Sequence, residues 1–241
     1  MIETLAALLF AHILADFVLQ TDTMVARKRE PLMLLAHAVI VLITAQVALG
    51  RVDAWEPLAL AVAHIVIDIV KVYALPDKLS SFFADQAAHL ITIFAAALYA
   101  PSLFAGGVWA NISALPALMA IAGGFILATF GGAHVLRLLV KRWENEDVEL
   151  PSGLPGGGEL IGLLERGIIF MLVLTGNPAG VGFLIAAKSV LRFDTTREDQ
   201  DVGEYVIIGT LASFGWALAV SWGTLAIMTH LPPLGFLPAN P

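Results

Sequence analysis

Residues 2–20 have the sequence IETLAALLFAHILADFVLQ, which contains only two charged side chains. A run of about 20 mostly apolar residues is long enough to cross the hydrocarbon core of a bilayer as an α-helix. No basic stretch precedes this run and no small-residue cleavage site follows it, so we expect a retained spanning helix and not a cleaved signal peptide. Arg27, Lys28 and Arg29 come after it, which predicts that its C-terminal end lies in the cytoplasm.

The whole chain, like this first segment, is rich in apolar residues and poor in charged ones. Of its 241 residues, 59% are hydrophobic and 14% are charged, whereas soluble domains have about 45–50% apolar and about 25% charged residues. We therefore predict an all-α integral membrane bundle of about eight transmembrane segments. The segments are 2–20, 32–50, 57–75, 84–101, 114–138, 159–176, 178–192 and 204–230. This composition excludes a disordered chain, a nucleic-acid-binding domain and an ordinary soluble enzyme.

The charge and the cysteine count narrow the range of ligands. The formal net charge is −7, and no polybasic tail indicates nucleic acid or an anionic membrane surface as a partner. The chain has no cysteine, which excludes disulfides, iron–sulfur clusters and thiolate metal sites.

Basic residues occur in alternate loops between the segments. Those in the first, third, fifth and seventh loops are Arg27, Lys28, Arg29, Lys78, Lys141, Arg142 and Arg197. The second loop has Arg51 alone, and the remaining even-numbered loops and the C-terminal tail have none. Because basic loops stay in the cytoplasm, we expect both termini outside and the odd-numbered loops inside. The alternation favours eight segments, although residues 178–192 are short enough to be either a span or a re-entrant hairpin.

The fifth loop divides the predicted bundle into parts, because it is acidic at first and then rich in glycine. The predicted parts are a four-helix module over 1–101, a fifth helix within 102–141, a cytoplasmic linker over 142–158 and a three-segment membrane module over 159–241. The linker is either a flexible tether or a glycine-rich loop that holds an anion at the start of the next helix. No Walker-type lysine follows it.

Ionisable residues lie inside the first four segments, where a charge at the bilayer centre costs about 2.5–3.5 kcal/mol on insertion scales. Residues four apart share one face of a helix. Three pairs have this spacing: His12 with Asp16, His64 with Asp68, and Asp85 with His89. We expect these pairs, together with His37 and Lys71, to face a common interior.

An internal repeat relates these residues to one another. The sequence HILAD at 12–16 matches HIVID at 64–68, an offset of 52 residues, and the same offset relates His37 to His89. The first four segments are thus predicted to be a duplicated helix pair, with the two copies parallel about an axis along the membrane normal. Ligands from both copies would meet near that axis.

Imidazole and carboxylate groups are a usual ligand set for zinc, manganese or iron. The predicted metal ligands are His12, Asp16, His37, His64, Asp68 and His89. Asp85 is predicted to be a ligand or a general base, and Lys71 to stabilise a developing anion. Two alternatives remain open: a buried polar network that holds the bundle together, and a proton or ion pathway.

The second half of the chain has its own charged residues in apolar surroundings. Arg166, Lys188 and Arg192 are candidates for binding a phosphate or carboxylate. The alternative is charge pairing, of Glu165 with Lys188 or Arg192, and of Glu204 with Arg166.

Small residues predict close contacts between helices, among them Gly123 and Gly132 in the fifth segment and Gly209 with Ser213 in the eighth. Packing accounts for them, and we assign them no chemistry.

Several of these motifs together resemble an uncharacterised family of bacterial polytopic membrane proteins that carry a domain of unknown function. The motifs are His12-x3-Asp16-Phe17-x2-Gln20, His64-x3-Asp68-x2-Lys71 and Asp85-Gln86-x2-His89. Later motifs, from Leu164-Glu165-Arg166 to Gly209-Thr210-Leu211, are similar to an extension found in longer members, so the resemblance covers most of the chain. The family implies no known reaction. More distantly, the His-x3-Asp helices are similar to those of bacterial membrane-bound metal-dependent hydrolases, and this likeness implies a metal ion but no particular substrate.

The expected function is therefore that of a metal-dependent membrane hydrolase or phosphotransferase, with a divalent cation as cofactor. It would act at the cytoplasmic leaflet of the bacterial inner membrane on a lipid or other amphiphilic substrate, with no nucleic acid as partner. A proton-coupled or ion transporter and a non-catalytic subunit of a membrane complex are the alternatives. A homo-oligomer is compatible with the sequence.

Overall fold

The computed structural model describes residues 1–141, 154, 156–192 and 200–235, without the side chains of residues 191, 192 and 200–202. Most of the predicted linker over 142–158 lies outside the described residues. So do Arg142 and Arg197 of the predicted cytoplasmic loops and the side chain of Arg192.

Every regular element in these described ranges is a helix. The α-helices are α1 (Ile2–Leu14), α2 (Asp22–Ala26), α3 (Pro31–Leu49), α4 (Glu56–Ala74), α5 (Leu79–Tyr99), α6 (Leu115–Ile126), α7 (Gly132–Val140), α8 (Gly157–Leu174), α9 (Ala179–Arg192) and α10 (Gln200–Met228). Two π-helical segments continue them, Ala15–Leu19 after α1 and Leu127–Gly131 between α6 and α7.

In the described part of the chain, six helical stretches are long and apolar enough to cross a membrane. They are Ile2–Leu19, Pro31–Leu49, Glu56–Ala74, Leu79–Tyr99, Leu115–Val140 and Gly203–Met228. The predicted sixth segment, 159–176, corresponds to α8, which contains Glu159, Glu165 and Arg166. The predicted seventh, 178–192, corresponds to α9, a helix about 21 Å long against a hydrocarbon core of about 30 Å. A helical bundle typical of a multi-pass membrane protein is thus supported, whereas the count of eight segments is not confirmed.

Local sequence signals explain where the helices of the first half begin and end. Pro31 and Pro57 lie in the first turns of α3 and α4, where the missing N–H group is not needed. Gly50 ends α3 in the left-handed conformation with a φ of 66°. A Cβ atom at Gly50 would also lie 2.5 Å from Cδ1 of Trp109, whose indole N–H donates to the carbonyl of Val47. This contact joins the loop after α5 to the end of α3.

The chain forms two compact units, each with its own core. The first consists of Met1–Ile126 with Ala226–Leu234, and Leu127–Leu225 forms most of the second. The second unit begins at the π-helical segment Leu127–Gly131, which lies within the predicted fifth helix. A π-helical turn interrupts the regular α-helical hydrogen bonding, which makes it a natural place for packing to change.

Helix α1 lies at the centre of the first unit, where it contacts α3, α5 and α6. Ala7 and Ala11 on α1 and Ala45 on α3 are almost completely buried. A Cβ atom at Gly123 of α6 would lie 3.5 Å from the Cα atom of Phe10, which agrees with the close contact predicted there. Small residues allow membrane helices to approach closely, so the polar residues of α1 are surrounded by other helices.

The loops of the first unit lie at two opposite ends. At one end, the backbone N–H of Val108 donates to the carbonyl of Gly50, and Thr4 near the start of α1 donates to the same loop after α5. At the other end, the hydroxyl of Tyr73 donates to the carbonyl of Arg29 at 2.7 Å. We call these the Gly50 end and the Arg29 end. The loops thus pair as the predicted alternation requires, with the first and third together and the second and fourth together.

Candidate metal centre

Four spanning helices of the first unit bring seven predicted site residues to one place. We call this group the His/Asp cluster, and its members are His12, Asp16, His37, His64, Asp68, Asp85 and His89. Each histidine is at most 4% exposed, and Asp68 and Asp85 are 2% and 3% exposed. The Asp16 side chain is 12% exposed. Helices α1, α3, α4 and α5 therefore direct these side chains toward the interior of the bundle.

Four atoms of the cluster form a compact set, which we call the first position. The Nε2 atoms of His37 and His64 lie 3.0 Å apart. Asp16 Oδ1 lies 3.3 Å from the first of these nitrogens and 3.5 Å from the second. Asp68 Oδ2 lies 3.6 Å and 3.7 Å from the same two atoms. Ligand atoms around a tetrahedral zinc ion lie about 3.3 Å apart, because its bonds are about 2.0–2.2 Å long. Asp16, His37 and His64 thus offer three ligand atoms close enough to hold one metal ion, and Asp68 Oδ2 is a fourth atom that faces the same two nitrogens.

Several buried polar atoms of the cluster have no hydrogen-bond partner within the described chain. They include Asp16 Oδ1, Asp68 Oδ2, Asp85 Oδ1 and both ring nitrogens of His89. A buried acceptor without a partner costs about 1–3 kcal/mol. Each of the three oxygens instead faces an imidazole nitrogen, at 3.3 Å for Asp16, 3.5 Å for Asp85 and 3.6 Å for Asp68, and a cation between the two groups would satisfy both. The donor set therefore fits a divalent metal ion such as zinc, manganese or iron.

Asp85 and His89 form a second group on α5, beside the first position. Asp85 Oδ1 lies 3.5 Å from His89 Nε2. The other carboxylate oxygen of Asp85 accepts a hydrogen bond from Lys71 Nζ at 2.8 Å, and the Lys71 side chain is 29% exposed. The rings of His64 and His89 stack with their centroids 4.0 Å apart. The two residues predicted to be catalytic, Asp85 and Lys71, thus pair with each other next to the predicted ligands.

His12 lies on another side of the cluster and is held by α5. Its Nε2 atom is 3.4 Å from the amide oxygen of Gln86, and its Nδ1 atom is 3.8 Å from Asp16 Oδ1. Its ring centroid is 5.1 Å from that of His89. Gln86 also donates to Asp85 Oδ2 at 3.3 Å, so this amide connects His12 with the carboxylate beside it.

Lys28 belongs to the site, although the sequence indicated for it only a role in topology. Its Nζ atom donates to Asp68 Oδ1 at 3.0 Å, and its side chain is 16% exposed. Lys28 follows the short helix α2, which lies between the first π-helical segment and α3 and contacts α3. No spacing in the sequence relates it to Asp68, 40 residues further on. The one available signal is the presence of basic residues next to a segment that carries a buried carboxylate.

Asp16 lies in a π-helical segment, whereas its counterpart in the repeat, Asp68, lies in the regular helix α4. π-Helical turns are rare and occur frequently at functional sites, because the inserted residue changes the direction of the side chains that follow. The two copies of the repeat therefore present their carboxylates from different backbones. The apolar pattern of residues 2–20 gives no indication of this difference.

Toward the Gly50 end, the cluster is bounded by an apolar core. Leu8, Ala45, Leu60 and Ile93 belong to this core and are buried. A small cavity beside His12, His64 and His89 is otherwise lined by apolar side chains and Thr92. The polar contacts of the cluster instead continue toward the Arg29 end, through Lys28 and Lys71.

The predicted anion ligands lie in the second unit. Lys188 donates to Glu165 at 2.7 Å, so the charge pair that the sequence suggested between these two residues is confirmed. Arg166 is 3% exposed, and it donates to the carbonyl of Thr129 at 3.2 Å and to Ser213 Oγ at 3.3 Å. The side chain of Arg192 lies outside the described residues. Binding of an anion by these three residues stays a prediction.

Arg166 and Trp216 donate hydrogen bonds to two backbone carbonyls of an irregular helical segment in the second unit. The indole N–H of Trp216 donates to the carbonyl of Leu127, and Arg166 donates to that of Thr129. Both carbonyls belong to the π-helical segment Leu127–Gly131, where regular helical pairing is disturbed. A Cβ atom at Gly132 would lie 2.6 Å from Arg166 Cδ, whereas one at Gly209 would meet nothing within 4 Å. The close contact predicted at Gly132 is thus present, and Gly209 faces open space.

Residues 4–111 match the model of a family described as "Protein of unknown function (DUF3307)". The matched region contains the entire His/Asp cluster together with Lys28, Lys71 and Gln86. The match supports the resemblance to an uncharacterised family with a domain of unknown function. No curated protein and no solved structure matches the chain.

Proposed function

We propose that the chain is a metal-dependent membrane hydrolase or phosphotransferase that acts on a lipid or other amphiphilic substrate. The observation that carries the proposal is the first position, where Asp16, His37 and His64 offer three ligand atoms close enough for one ion. Asp68 Oδ2 is a fourth atom that faces the same two nitrogens. A polar network that merely stabilised the bundle would be expected to satisfy its buried oxygens by hydrogen bonds. Here two of those four atoms have no such partner.

Zinc, manganese and iron are the candidate cofactors. All three accept imidazole and carboxylate ligands, and the chain offers no thiolate that would favour a softer ion. The distant resemblance of the His-x3-Asp helices to membrane-bound metal-dependent hydrolases supports the same conclusion.

A bound cation would supply the Lewis acid that activates a water molecule, or the acceptor hydroxyl in a phosphotransferase. The oxygen of that group would bond to the phosphorus or carbonyl carbon of the ester while the bond from that atom to the leaving oxygen breaks. Its proton would pass to a carboxylate of the cluster and from there to the leaving oxygen. Lys71, paired with Asp85, is placed to stabilise the negative charge that develops on the attacked group.

The location of the site supports an amphiphilic substrate at the cytoplasmic leaflet. The cluster lies within spanning helices and its polar contacts lead to the Arg29 end, which carries the basic loops. On the positive-inside rule this end lies in the cytoplasm, and both termini lie outside. With the bacterial resemblance, this supports the inner membrane as the location of the protein.

A proton-coupled or ion transporter is the second candidate, and the hydrogen bond between His37 and His64 favours it. Neighbouring imidazoles can pass protons within a membrane. The apolar core at the Gly50 end argues against a continuous polar path. Proton flux in proteoliposomes that disappears in His37→Gln, from protein free of bound metal, would favour this candidate over the hydrolase.

Metal analysis of the purified protein tests the proposal. Protein stripped with a chelator, incubated with zinc, manganese or iron(II) and desalted should retain at least one ion per chain. Asp68→Asn should lose it, whereas Asp53→Asn should retain it, because Asp53 pairs with Arg51 in a loop with its side chain 69% exposed. Wild-type protein that retains none of the three metals would remove the proposal.

Hydrolysis is then measured on amphiphilic phosphoesters and carboxylic esters in mixed micelles. The metal-loaded wild type and Asp53→Asn should release product, and Asp68→Asn should not. If Asp68→Asn instead lowers only the amount of protein in the membrane, a non-catalytic subunit of a membrane complex becomes the better explanation.

A further inference from the structure

Asp68, Asp85 and His89 offer ligand atoms that all lie within 4.8 Å of one another. These atoms form a group beside the first position, which we call the second position. His89 is 1% exposed and neither of its ring nitrogens has a hydrogen-bond partner in the described chain. Asp85 Oδ1, 3.5 Å from His89 Nε2, is likewise buried without a partner. Two unpartnered buried groups thus face each other outside the first position.

The two positions share one residue, Asp68. Its Oδ2 atom faces His37 and His64 of the first position, and the same carboxylate belongs to the group with Asp85 and His89. The stacked rings of His64 and His89, 4.0 Å apart, belong to different positions. Two-metal sites hold their ions about 3.5–4 Å apart. Two ions that share the Asp68 carboxylate would be neighbours of this kind.

The internal repeat gives an independent reason to expect two positions. A repeat offset of 52 residues relates Asp16 and His37 of the first position to Asp68 and His89 of the second. A single ion on the repeat axis would need equivalent contributions from both copies. The first position instead uses His37 but not its counterpart His89, which leaves His89 available for a second ion.

The second position also has a carboxylate that the repeat does not supply. The residue that corresponds to Asp85 in the first copy is Met33. Asp85 is thus present only where it can accompany His89, and the first position has no equivalent of it. This difference makes the two positions chemically unequal, because the first has one carboxylate in its group of three residues and the second has two.

We propose that the cluster holds two divalent ions, bridged by the Asp68 carboxylate, with the second ion bound by Asp85 and His89. This inference rests on the proposed metal binding and adds the number of ions and their separate roles. Structural zinc sites have four protein ligands, whereas catalytic sites have three and leave a place for water. With Asp68, Asp85 and His89 as its three ligands, the second position would leave room for the reacting water, and His37 and His64 would fix the other ion that Asp68 faces.

The charges around the cluster indicate an anionic substrate. Asp16, Asp68 and Asp85 are faced by two ammonium groups, those of Lys28 and Lys71. Two divalent ions add four positive charges to this nearly balanced set, so the loaded site attracts an anion. A phosphoester headgroup has the required charge, and its oxygens can bind both ions at once.

Manganese binding and electron paramagnetic resonance test this arrangement on the full-length protein in detergent. Wild-type protein should bind two Mn²⁺ ions per chain, and their spectrum should show the exchange coupling of neighbouring ions. Asp85→Asn and His89→Gln should each bind one ion with the spectrum of isolated Mn²⁺. Asp53→Asn should bind two coupled ions like the wild type.

The outcomes separate this inference from the proposed function. One uncoupled ion in the wild type would overturn the second position while leaving a metal-dependent enzyme intact. Two ions without coupling would overturn the bridge by Asp68, and two ions retained in Asp85→Asn and His89→Gln would overturn the ligand assignment. No manganese, zinc or iron in the wild type would overturn both proposals. The number of ions bound per wild-type chain tests the proposal by itself, so the test does not depend on whether a variant folds.

Discussion

His37 on α3 and His64 on α4 face each other with their Nε2 atoms 3.0 Å apart, and they are 1% and 3% exposed. Two N–H groups at this separation would repel each other. Either one nitrogen donates to the other, or both bind the same cation. With Asp16 Oδ1 and Asp68 Oδ2 within 3.7 Å of both nitrogens, the second arrangement satisfies more buried atoms than the first.

Zinc should therefore stabilise the folded protein through His64. A ligand present at 100 times its dissociation constant stabilises the native state by about 2.7 kcal/mol. We expect zinc to raise the thermal unfolding temperature of the wild type in detergent and to leave that of His64→Gln unchanged. His230→Gln is the matched control, because His230 is exposed at the end of α10 and should keep the full zinc effect. An equal zinc shift in wild type and His64→Gln would contradict the role of His64 as a ligand.

Replacement of Lys28 should destabilise the protein by leaving the Asp68 carboxylate without its ammonium partner. Breaking a fully buried ion pair costs about 3–5 kcal/mol, and we expect about 1–3 kcal/mol for Lys28→Met because Lys28 keeps some contact with solvent. Zinc should stabilise Lys28→Met more than the wild type, since the cation replaces the lost positive charge beside Asp68. Both effects are measured by thermal unfolding with and without zinc.

The control for Lys28→Met is Lys78→Met, which removes an exposed lysine from another loop of the first unit. It should change the free energy of unfolding by no more than about 0.5 kcal/mol. If zinc stabilised Lys28→Met less than the wild type, Lys28 would instead support metal binding.

The sequence predicted those parts of the candidate site that are linked by a regular spacing, either one turn of a helix or the offset of the internal repeat. His12 with Asp16, His64 with Asp68, and Asp85 with His89 are each four residues apart, and the offset of 52 residues relates His37 to His89. Residues four apart lie on one face of a helix, so this spacing predicts that the paired side chains share a face. Because a charge in contact with lipid is costly, that face is expected to point into the bundle. The structure brings all of these residues together.

The parts that could not be predicted depend on loops and irregular backbone. Lys28 reaches Asp68 because α2 returns the chain to the bundle, which no periodicity encodes. Arg166 donates to the carbonyl of Thr129 in a π-helical segment, a contact that no spacing in the sequence indicates. The count of eight spans is not confirmed for a related reason: α8 is apolar enough to resemble a span, but it contains charged residues, and Glu165 among them pairs with Lys188.

Gly132→Ala should destabilise the second unit. The added methyl group would lie 2.6 Å from Arg166 Cδ and 2.8 Å from Cδ1 of Trp216, so the side chains that satisfy the π-helical segment would have to move. Overpacking of this kind costs about 1–3 kcal/mol. The measurement is the unfolding midpoint in detergent, monitored by tryptophan fluorescence.

Gly209→Ala is the matched control for this substitution. It adds the same methyl group to a helix of the same unit, but nothing lies within 4 Å of the new atom. Because alanine favours helices over glycine by about 1 kcal/mol, this variant should be as stable as the wild type or more so. Equal losses of stability in Gly132→Ala and Gly209→Ala would show that the contact with Arg166 is not the cause.

The absence of native cysteine allows the orientation of the first unit to be tested with single cysteines. Thr23→Cys places a thiol at the Arg29 end, and Val52→Cys places one beside the Gly50 end, where Val52 is 83% exposed. On the positive-inside rule, a membrane-impermeant maleimide should label Val52→Cys in intact cells and Thr23→Cys only after permeabilisation. The wild type should not be labelled in either condition. Labelling of Thr23→Cys alone would reverse the orientation and move the site to the outer leaflet, and labelling of both thiols in intact cells would contradict the pairing of loops at opposite ends of the unit.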